Sequence, residues 1–510
     1  GVSEAGGGLR SKSVQGSHRR APDLGARAIR GTGPSGAVCC LRSRPSLIRM
    51  PRLRVILHRA AALLVSLLLV IIPWWRHRVV VHRPPYDVHF ALHDLIFYTS
   101  DYVTLAFLIV GWGAVFAGRP EGRRLRSGPA FVVVPIILLW LLSTASMLWA
   151  VDALYAGYVS LRLLIGLLLY LLLVNLNLSR LWIAISIAIS VSIQAAVGLG
   201  QIFLGRSLGL ARLGELDLHP AWSGVSVVIT EGGRHLRAYG LTQHPNLLGG
   251  LLVAFLLLLV GFVLGGPKQR RGVLAILYLG FGAGGATLAM TFSRGAWLGG
   301  ALGAVVLIGV LIRSRKVSLP DLVGPLRLLI GMALAVSVTF LVTQWSLLRP
   351  RLGLAYQGAE VRSVDERATL VAGAQALRGL RPWLGVGAGG FSTALYDLAP
   401  DAIAAYPIFQ PVHNVLLLLA TELGPGGSLL WSVTMLSPAL ALFFAADDLR
   451  LDSWLAALAS VLVAHFAIGW VEAYPWSSQQ GVLMTWTILG LWARAYASQI
   501  DESWRNFEDG

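Results

Sequence analysis

Apolar residues fall in blocks of about 17–25, the length of helix that crosses a bilayer, separated by shorter polar or glycine-rich stretches. The blocks lie at 55–75, 102–118, 129–150, 157–178, 181–204, 247–265, 272–291, 296–312, 326–344, 412–444, 454–471 and 481–497. The stretch 412–444 is too long for one straight crossing and holds Gly424-Pro425-Gly426-Gly427. It predicts an entry helix, a bend at Pro425 and then the crossing. The pattern specifies an all-α polytopic membrane protein of about 12 transmembrane helices, with a large outer loop before the tenth.

Alternation assigns the loops to two sides. The basic clusters at 119–126, 266–271 and 313–316 all fall on one side, and the segments 205–245, 292–295 and 345–411 on the other. An excess of Lys and Arg marks the cytoplasmic side, so both chain ends are expected there and the long segments outside. Composition agrees: 55% of residues are hydrophobic and 13% charged, against about 25% charged in soluble domains. The net charge of +17 fits the same inner-loop bias, and no nucleic-acid-binding motif accompanies it. Residues 1–49, rich in Gly, Arg and Ser without apolar periodicity, are expected to be a disordered tail or an upstream extension. Met50, the first methionine, resembles a natural start, so 50–510 is taken as the bundle. The two cysteines, Cys39 and Cys40, sit in that tail, so the membrane body has no thiol for catalysis or metal binding. Arg162 lies inside the fourth block, where snorkelling to the interface is favoured over a functional role.

Few polar residues remain, and they gather in the outer segments. In the outer hairpin segment 205–245, short runs around Gly232-Gly233 predict a β-hairpin that delivers Arg237 to the membrane surface. His244-Pro245-Asn246 then starts a helix, where Asn246 is as well suited to capping as to function. Ser293-Arg294-Gly295 turns between the seventh and eighth blocks, placing Arg294 beside a helix N-terminus that favours anions. In the large outer loop, 345–411, Arg367 opens a helical pattern with Leu370, Val371, Ala374, Leu377 and Leu380. A stop and a glycine turn, Gly385-Val386-Gly387-Ala388-Gly389-Gly390, follow. His413-Asn414 stands where the chain re-enters lipid. Glu422, nine residues on, is costly in a lipid-bounded helix. It is either functional or an acceptor that stabilises the bend.

No phosphate-binding loop, nucleophile elbow or zinc-protease motif is present. Glu215 and Asp217 are the one outer acidic pair with metal-like spacing, a weak signal. Arginines with a histidine suit a different chemistry. Guanidinium groups bind diphosphate through planar, permanently charged forks, and fixed cations stabilise a departing diphosphate without a metal. An imidazole has the pKa needed to take a proton from an incoming hydroxyl.

The runs Arg237-Ala238-Tyr239-Gly240 with His244-Pro245-Asn246, Thr291-Phe292-Ser293-Arg294-Gly295-Ala296, Glu366-Arg367 with Pro382-Trp383-Leu384-Gly385-Val386-Gly387, and His413-Asn414 with Glu422-Leu423-Gly424 resemble the O-antigen ligase and polymerase family. Each run alone is a weak signature; their order and spacing together are specific. The resemblance covers roughly 181–442. It implies a cofactor-free, metal-independent, inverting transfer of glycan from undecaprenyl diphosphate to an acceptor hydroxyl on a glycan, lipid or protein. The reaction would take place on the periplasmic face of the inner membrane, with membrane lipid as partner. Arg237, Arg367 and His413 match the family's essential arginines and histidine, and are expected to be catalytic. Arg294, His244, Asn246, Asn414 and Glu422 are expected to bind substrate. His244 departs from the pattern as a second histidine near the surface, which leaves two candidates for the base. A ligase, a polymerase and a protein O-oligosaccharyltransferase remain open within the family, and a lipid-linked sugar flippase outside it. A carrier would place its polar groups near the midplane and show repeats, neither of which the sequence has.

Overall fold

The computed structural model describes residues 51–83, 94–118, 124–265, 271–314, 319–354, 358–398, 410–445 and 452–508. Contacts divide the chain into Gly1–Arg49 and Met50–Gly510. The expectations for the 1–49 tail and its two cysteines lie outside the described residues.

The first nine predicted crossings form as α1 (Pro51–Ile71), α2 (Thr99–Gly118), α3 (Ala130–Ala145), α4 (Ala153–Asn175), α5 (Arg180–Leu204), α6 (Pro245–Gly265), α7 (Arg271–Met290), α8 (Arg294–Arg313) and α9 (Leu319–Thr343). The outer loop then carries α10 (Trp345–Arg351), α11 (Gly358–Leu380) and α12 (Phe391–Leu398). The tenth block divides into α13 (Val415–Glu422) and α14 (Gly424–Phe444). The break falls at Gly424, whose φ of 71° only glycine adopts without strain, and Pro425 takes the first turn of the crossing helix. Next come α15 (Ser453–Gly469), the single turn α16 (Tyr474–Ser477) and α17 (Gln479–Glu508). Ten of these helices are long and apolar enough to cross a membrane. The 17-residue α15 and the start of α17 occupy the predicted eleventh and twelfth positions.

Helix α6 is the centre, buried almost continuously from Leu247 to Leu259. Helices α8 and α15 pack on it and on each other. Small residues let the backbones approach, as lipid-embedded helices require: a Cβ on Gly303 would come within 3.2 Å of the Ser460 carbonyl. The elements that bear the candidate residues all meet at one end: the start of α6, the α7–α8 turn, the start of α13 and the end of α15. Arg271 and Arg313 mark the opposite ends of α7 and α8.

Two hairpins lie on the outer end. β3 (Val227–Thr230) pairs antiparallel with β4 (Gly233–Leu236) around the expected glycines. A second pair, β1 (His77–Val81) with β2 (Leu95–Tyr98), has no counterpart in the sequence reading, because its alternation is masked by the adjoining apolar spans. Within the large loop, Leu370, Ala374 and Leu377 of α11 are buried while Leu380 is exposed. Arg367 lies one turn before Leu370 on the same stripe, so the face that packs inward also aims the guanidinium at the rim.

Arg162 corrects the snorkelling expectation. Its Nη2 donates to the Ile96 carbonyl at 2.6 Å and to Asp101 Oδ2 at 3.2 Å, and its Nη1 donates to Gln479. Asp101 in the first turn of α2 supplies the charge that a buried guanidinium needs, so the side chain braces α2, α4, β2 and α17 instead of leaving for the interface.

Candidate active site at the outer rim

The hairpin places Arg237 one residue beyond β4, and the Ala238 N–H donates to the Met290 carbonyl at 3.0 Å. This stitches the hairpin to the α7–α8 turn. Arg237 is 4% exposed. Its Nε donates to the Thr291 carbonyl at 2.6 Å, Nη1 to Ser226 Oγ at 2.6 Å and Nη2 to Asn246 Oδ1 at 2.5 Å. Every guanidinium nitrogen is thus engaged by the fold, and Arg237 meets Asn246 rather than the open surface.

Asn246 passes that connection on. Its Nδ2 donates to Glu472 Oε1 at 2.7 Å, so its side chain is a bridge and not the helix cap it was equally suited to be. The same carboxylate oxygen accepts from Arg367 Nη2 at 3.1 Å, and Glu472 Oε2 lies 3.6 Å from His413 Nδ1. Glu472, 7% exposed, is therefore the hub that joins Arg237, Asn246, Arg367 and His413. Burial by itself would raise its pKa, but His413 and Arg367 outweigh burial and hold the carboxyl down at about 2. The sequence reading passed over Glu472 as part of a short loop. A signal was available: two arginines and a histidine on one face of a chain with 42 basic and 25 acidic residues need a local counter-charge, and Glu472 ends the eleventh block on that face.

Arg367 and His413 are the members of the cluster open to solvent, with side chains 39% and 26% exposed. Arg367 Nη1 also donates to the Val471 carbonyl at 3.3 Å, and the side chain still keeps part of its surface open to solvent. His413 Nε2 lies 3.2 Å from Gln410 Oε1.

Three residues expected to bind substrate also have structural work. Asn414 caps α13, its Oδ1 accepting from Leu417 N–H at 2.8 Å, and its Nδ2 donates to the Trp470 carbonyl at 3.1 Å. That bond ties α13 to the segment bearing Glu472. His244 accepts from the Asn246 N–H through Nδ1 at 3.1 Å, so histidine does the capping at the start of α6. Burial and then the Arg237 charge push its pKa down to about 3. So weak a base is poorly suited to take a hydroxyl proton. Glu422, 3% exposed, stands apart from the Glu472 cluster. It accepts from the Trp476 indole N–H at 3.3 Å and from the backbone N–H groups of Gly389 and Phe391. The glycine turn thus closes on a carboxylate of its own chain: Val386 and Gly387 N–H donate to the Thr421 and Glu422 carbonyls, both at 2.9 Å. Gly385, at φ 68°, could not accept a Cβ, which would lie 2.5 Å from the Glu422 backbone.

Arg294 donates to the Arg351 carbonyl at 3.1 Å. It borders the cluster through its neighbour: a Cβ on Gly295 would lie 4.0 Å from Glu472 Cγ. Glu472 therefore links Arg367 and His413 directly and Arg237 through Asn246, and Arg294 stands at the edge. The turn that carries it includes Phe292 at φ 49°, a strained backbone for an aromatic residue, buried against Phe340. The Glu215 and Asp217 carboxylates are engaged separately. Glu215 accepts from Gln201 and from the Leu208 and Leu210 N–H groups, and Asp217 from Ser207. Among the described residues no group of three or more potential ligands converges as a metal site would require.

The acids make opposite contributions to pH-dependent stability. Burial raises Glu422 from 4.5 to about 7. The fold therefore favours its protonated form, and this contribution is present below 4.5 and lost as pH rises to about 7. Glu422→Gln should remove a dependence on the order of 3 kcal/mol, so the difference between wild-type and variant thermal stability in detergent should change between pH 4.5 and 7. A difference constant over that range would contradict the assignment. Glu472 and His244 are both held low, so their contributions are lost on acidification, from 4.5 toward 2 and from 6.5 toward 3.

Residues 279–432, under a third of the chain, match the family model described as Wzy_C, O-antigen ligase. No curated protein matches the chain. The matched segment runs from α7 into α14 and includes Arg294, Arg367, the glycine turn, His413 and Glu422, while Arg237 and Glu472 lie outside it. The chain is thus an all-α polytopic membrane protein with a segment, 279–432, that matches the O-antigen ligase family model.

Proposed function

We propose that the protein transfers a glycan from undecaprenyl diphosphate to an acceptor hydroxyl at the outer, periplasmic face of the inner membrane, as an O-antigen ligase does. The observation that carries this reading is the Glu472 hub, which holds one open arginine and one open histidine side by side at the lipid boundary. Arg367 binds the diphosphate and neutralises the charge that develops as the anomeric C–O bond breaks. The Glu472 charge, 3.6 Å away, favours the His413 tautomer with hydrogen on Nδ1. Nε2 is then free to take the proton as the acceptor oxygen bonds to the anomeric carbon from the opposite face. One displacement at that carbon inverts its configuration. Arg237 and Asn246 fix Glu472 from the other side. Gln410 Oε1, 3.2 Å from Nε2, can accept from that nitrogen once it carries the proton.

A polymerase or protein O-oligosaccharyltransferase would use the same groups with another acceptor. The flippase alternative is weaker, because the open charged groups gather at one rim rather than along a path across the bundle. Purified protein supplied with lipid-linked glycan should release undecaprenyl diphosphate only when an acceptor is present. It should do so equally with and without a chelator. Growth of the glycan chain in place of a labelled acceptor would identify a polymerase, and inhibition by the chelator would revive the Glu215 and Asp217 metal alternative.

A further inference from the structure

A cavity of about 70 Å³ borders Glu422 and takes no part in the mechanism above. By the same measure it has room for roughly five waters, the bulk of a single sugar ring. Its walls are aromatic and polar together. Tyr98, Tyr155, Tyr158 and Trp476 line it, and three of these are 5–9% exposed, so they face inward and are not an interfacial belt. Glu422 and Ser392 add hydroxyl-matching oxygens to the same wall. Aromatic faces with a few fixed polar groups are the surface that a sugar needs, since its ring presents C–H on its faces and hydroxyls at its edge. Arg162 also lines the cavity, but its bonds to Asp101, Ile96 and Gln479 make it a brace for the wall. The cavity is joined to the reacting groups along the chain at both sides: Pro411 on its lining lies two residues before His413, and Trp476 four residues after Glu472.

We propose that this cavity is a monosaccharide subsite that seats one sugar of the glycan substrate against the segment that leads into His413. The proposal rests on the glycan-transfer reading for its substrate, while its binding surface is independent of the reacting groups. Glu422, drawn up to about 7 by burial, presents an oxygen that can accept from a sugar hydroxyl or, when protonated, donate to one. Tyr155 and Tyr158 pack with their rings tilted at 39° and 5.5 Å between centroids, and both line the cavity.

The test uses the full chain in lipid nanodiscs and saturation-transfer NMR with methyl glycosides of hexoses and N-acetylhexosamines. Saturation should reach at least one glycoside in the wild type and in His413→Ala. It should be lost in Ser392→Leu and Val159→Phe, which plug the cavity from different elements. In the transfer assay each plug should raise KM by about tenfold or more, with kcat little changed. A rise for the acceptor alone places an acceptor sugar in the subsite, and a rise for the lipid-linked donor places a donor sugar there. Sugar binding that survives both plugs, or its absence from the wild type, overturns the proposal even if transfer proceeds. Sugar binding that the plugs abolish in a protein without transfer activity upholds the subsite and overturns the transfer reading instead. Where a plug lowers the yield of folded protein, Tyr155→Phe, which keeps the ring, should weaken the same NMR signal, and an unchanged signal counts against the subsite.

Discussion

Glu472→Gln lowers glycan transfer by about 10²–10⁴-fold, the range for a group that orients a general base, while the protein still inserts and folds. The amide keeps the shape of the side chain, so Asn246 and Arg367 retain a carbonyl oxygen to donate to. What changes is the side facing His413 at 3.6 Å. There an amide N–H₂ replaces an acceptor, and the imidazole loses the charge that fixes its tautomer. The loss should fall on kcat, with KM for the lipid-linked donor affected less, because Arg367 keeps its fork. Glu472→Ala should be worse than Glu472→Gln and should also lower stability, since it strands Asn246 and Arg367 beside an empty position. Steady-state transfer by the purified variants measures the effect; kcat within a factor of about three of wild type in Glu472→Gln would remove Glu472 from the mechanism.

Arg367→Ala and His413→Ala should each abolish measurable transfer with expression intact, for different physical reasons. Arg367 is the open cation of the cluster, and its removal leaves the departing diphosphate facing Glu472 with one counter-charge fewer. Arg367→Lys restores charge without the planar fork, so it should recover donor binding more than turnover. His413→Ala removes the proton acceptor and nothing else that holds the rim together, because its ring bonds only Gln410 and pairs with Glu472. Donor binding should therefore survive in His413→Ala and fall in Arg367→Ala, a split that equilibrium binding of the lipid-linked donor reads directly. Full transfer in both alanine variants would defeat the site assignment.

Arg237 offers a finer comparison. Its match to the family's arginines led to the expectation of direct catalysis, yet it is closed off by Thr291, Ser226 and Asn246. As a positioning residue it should share its effect with Asn246. The two alanine variants and their double variant should then be far from additive, whereas Arg367 combined with a residue outside the cluster should add.

The sequence by itself determined the membrane architecture and which connecting segments share a side. Bilayer thickness sets the length of every apolar block, and the charge of the connecting turns sets the orientation, so both are local properties of the chain. The β3–β4 hairpin and the buried stripe that aims Arg367 were legible for the same reason. Only the tertiary structure decided which polar residues meet. Glu472 is 226 positions from Asn246 and 105 from Arg367, and no periodicity encodes a contact across that distance. It likewise decided that His244 and Asn414 cap helices, and that the glycine turn encloses Glu422, because an isolated side chain has the same character whether it caps a helix or faces a ligand. The burial and partners that separate those roles exist only after the helices have packed.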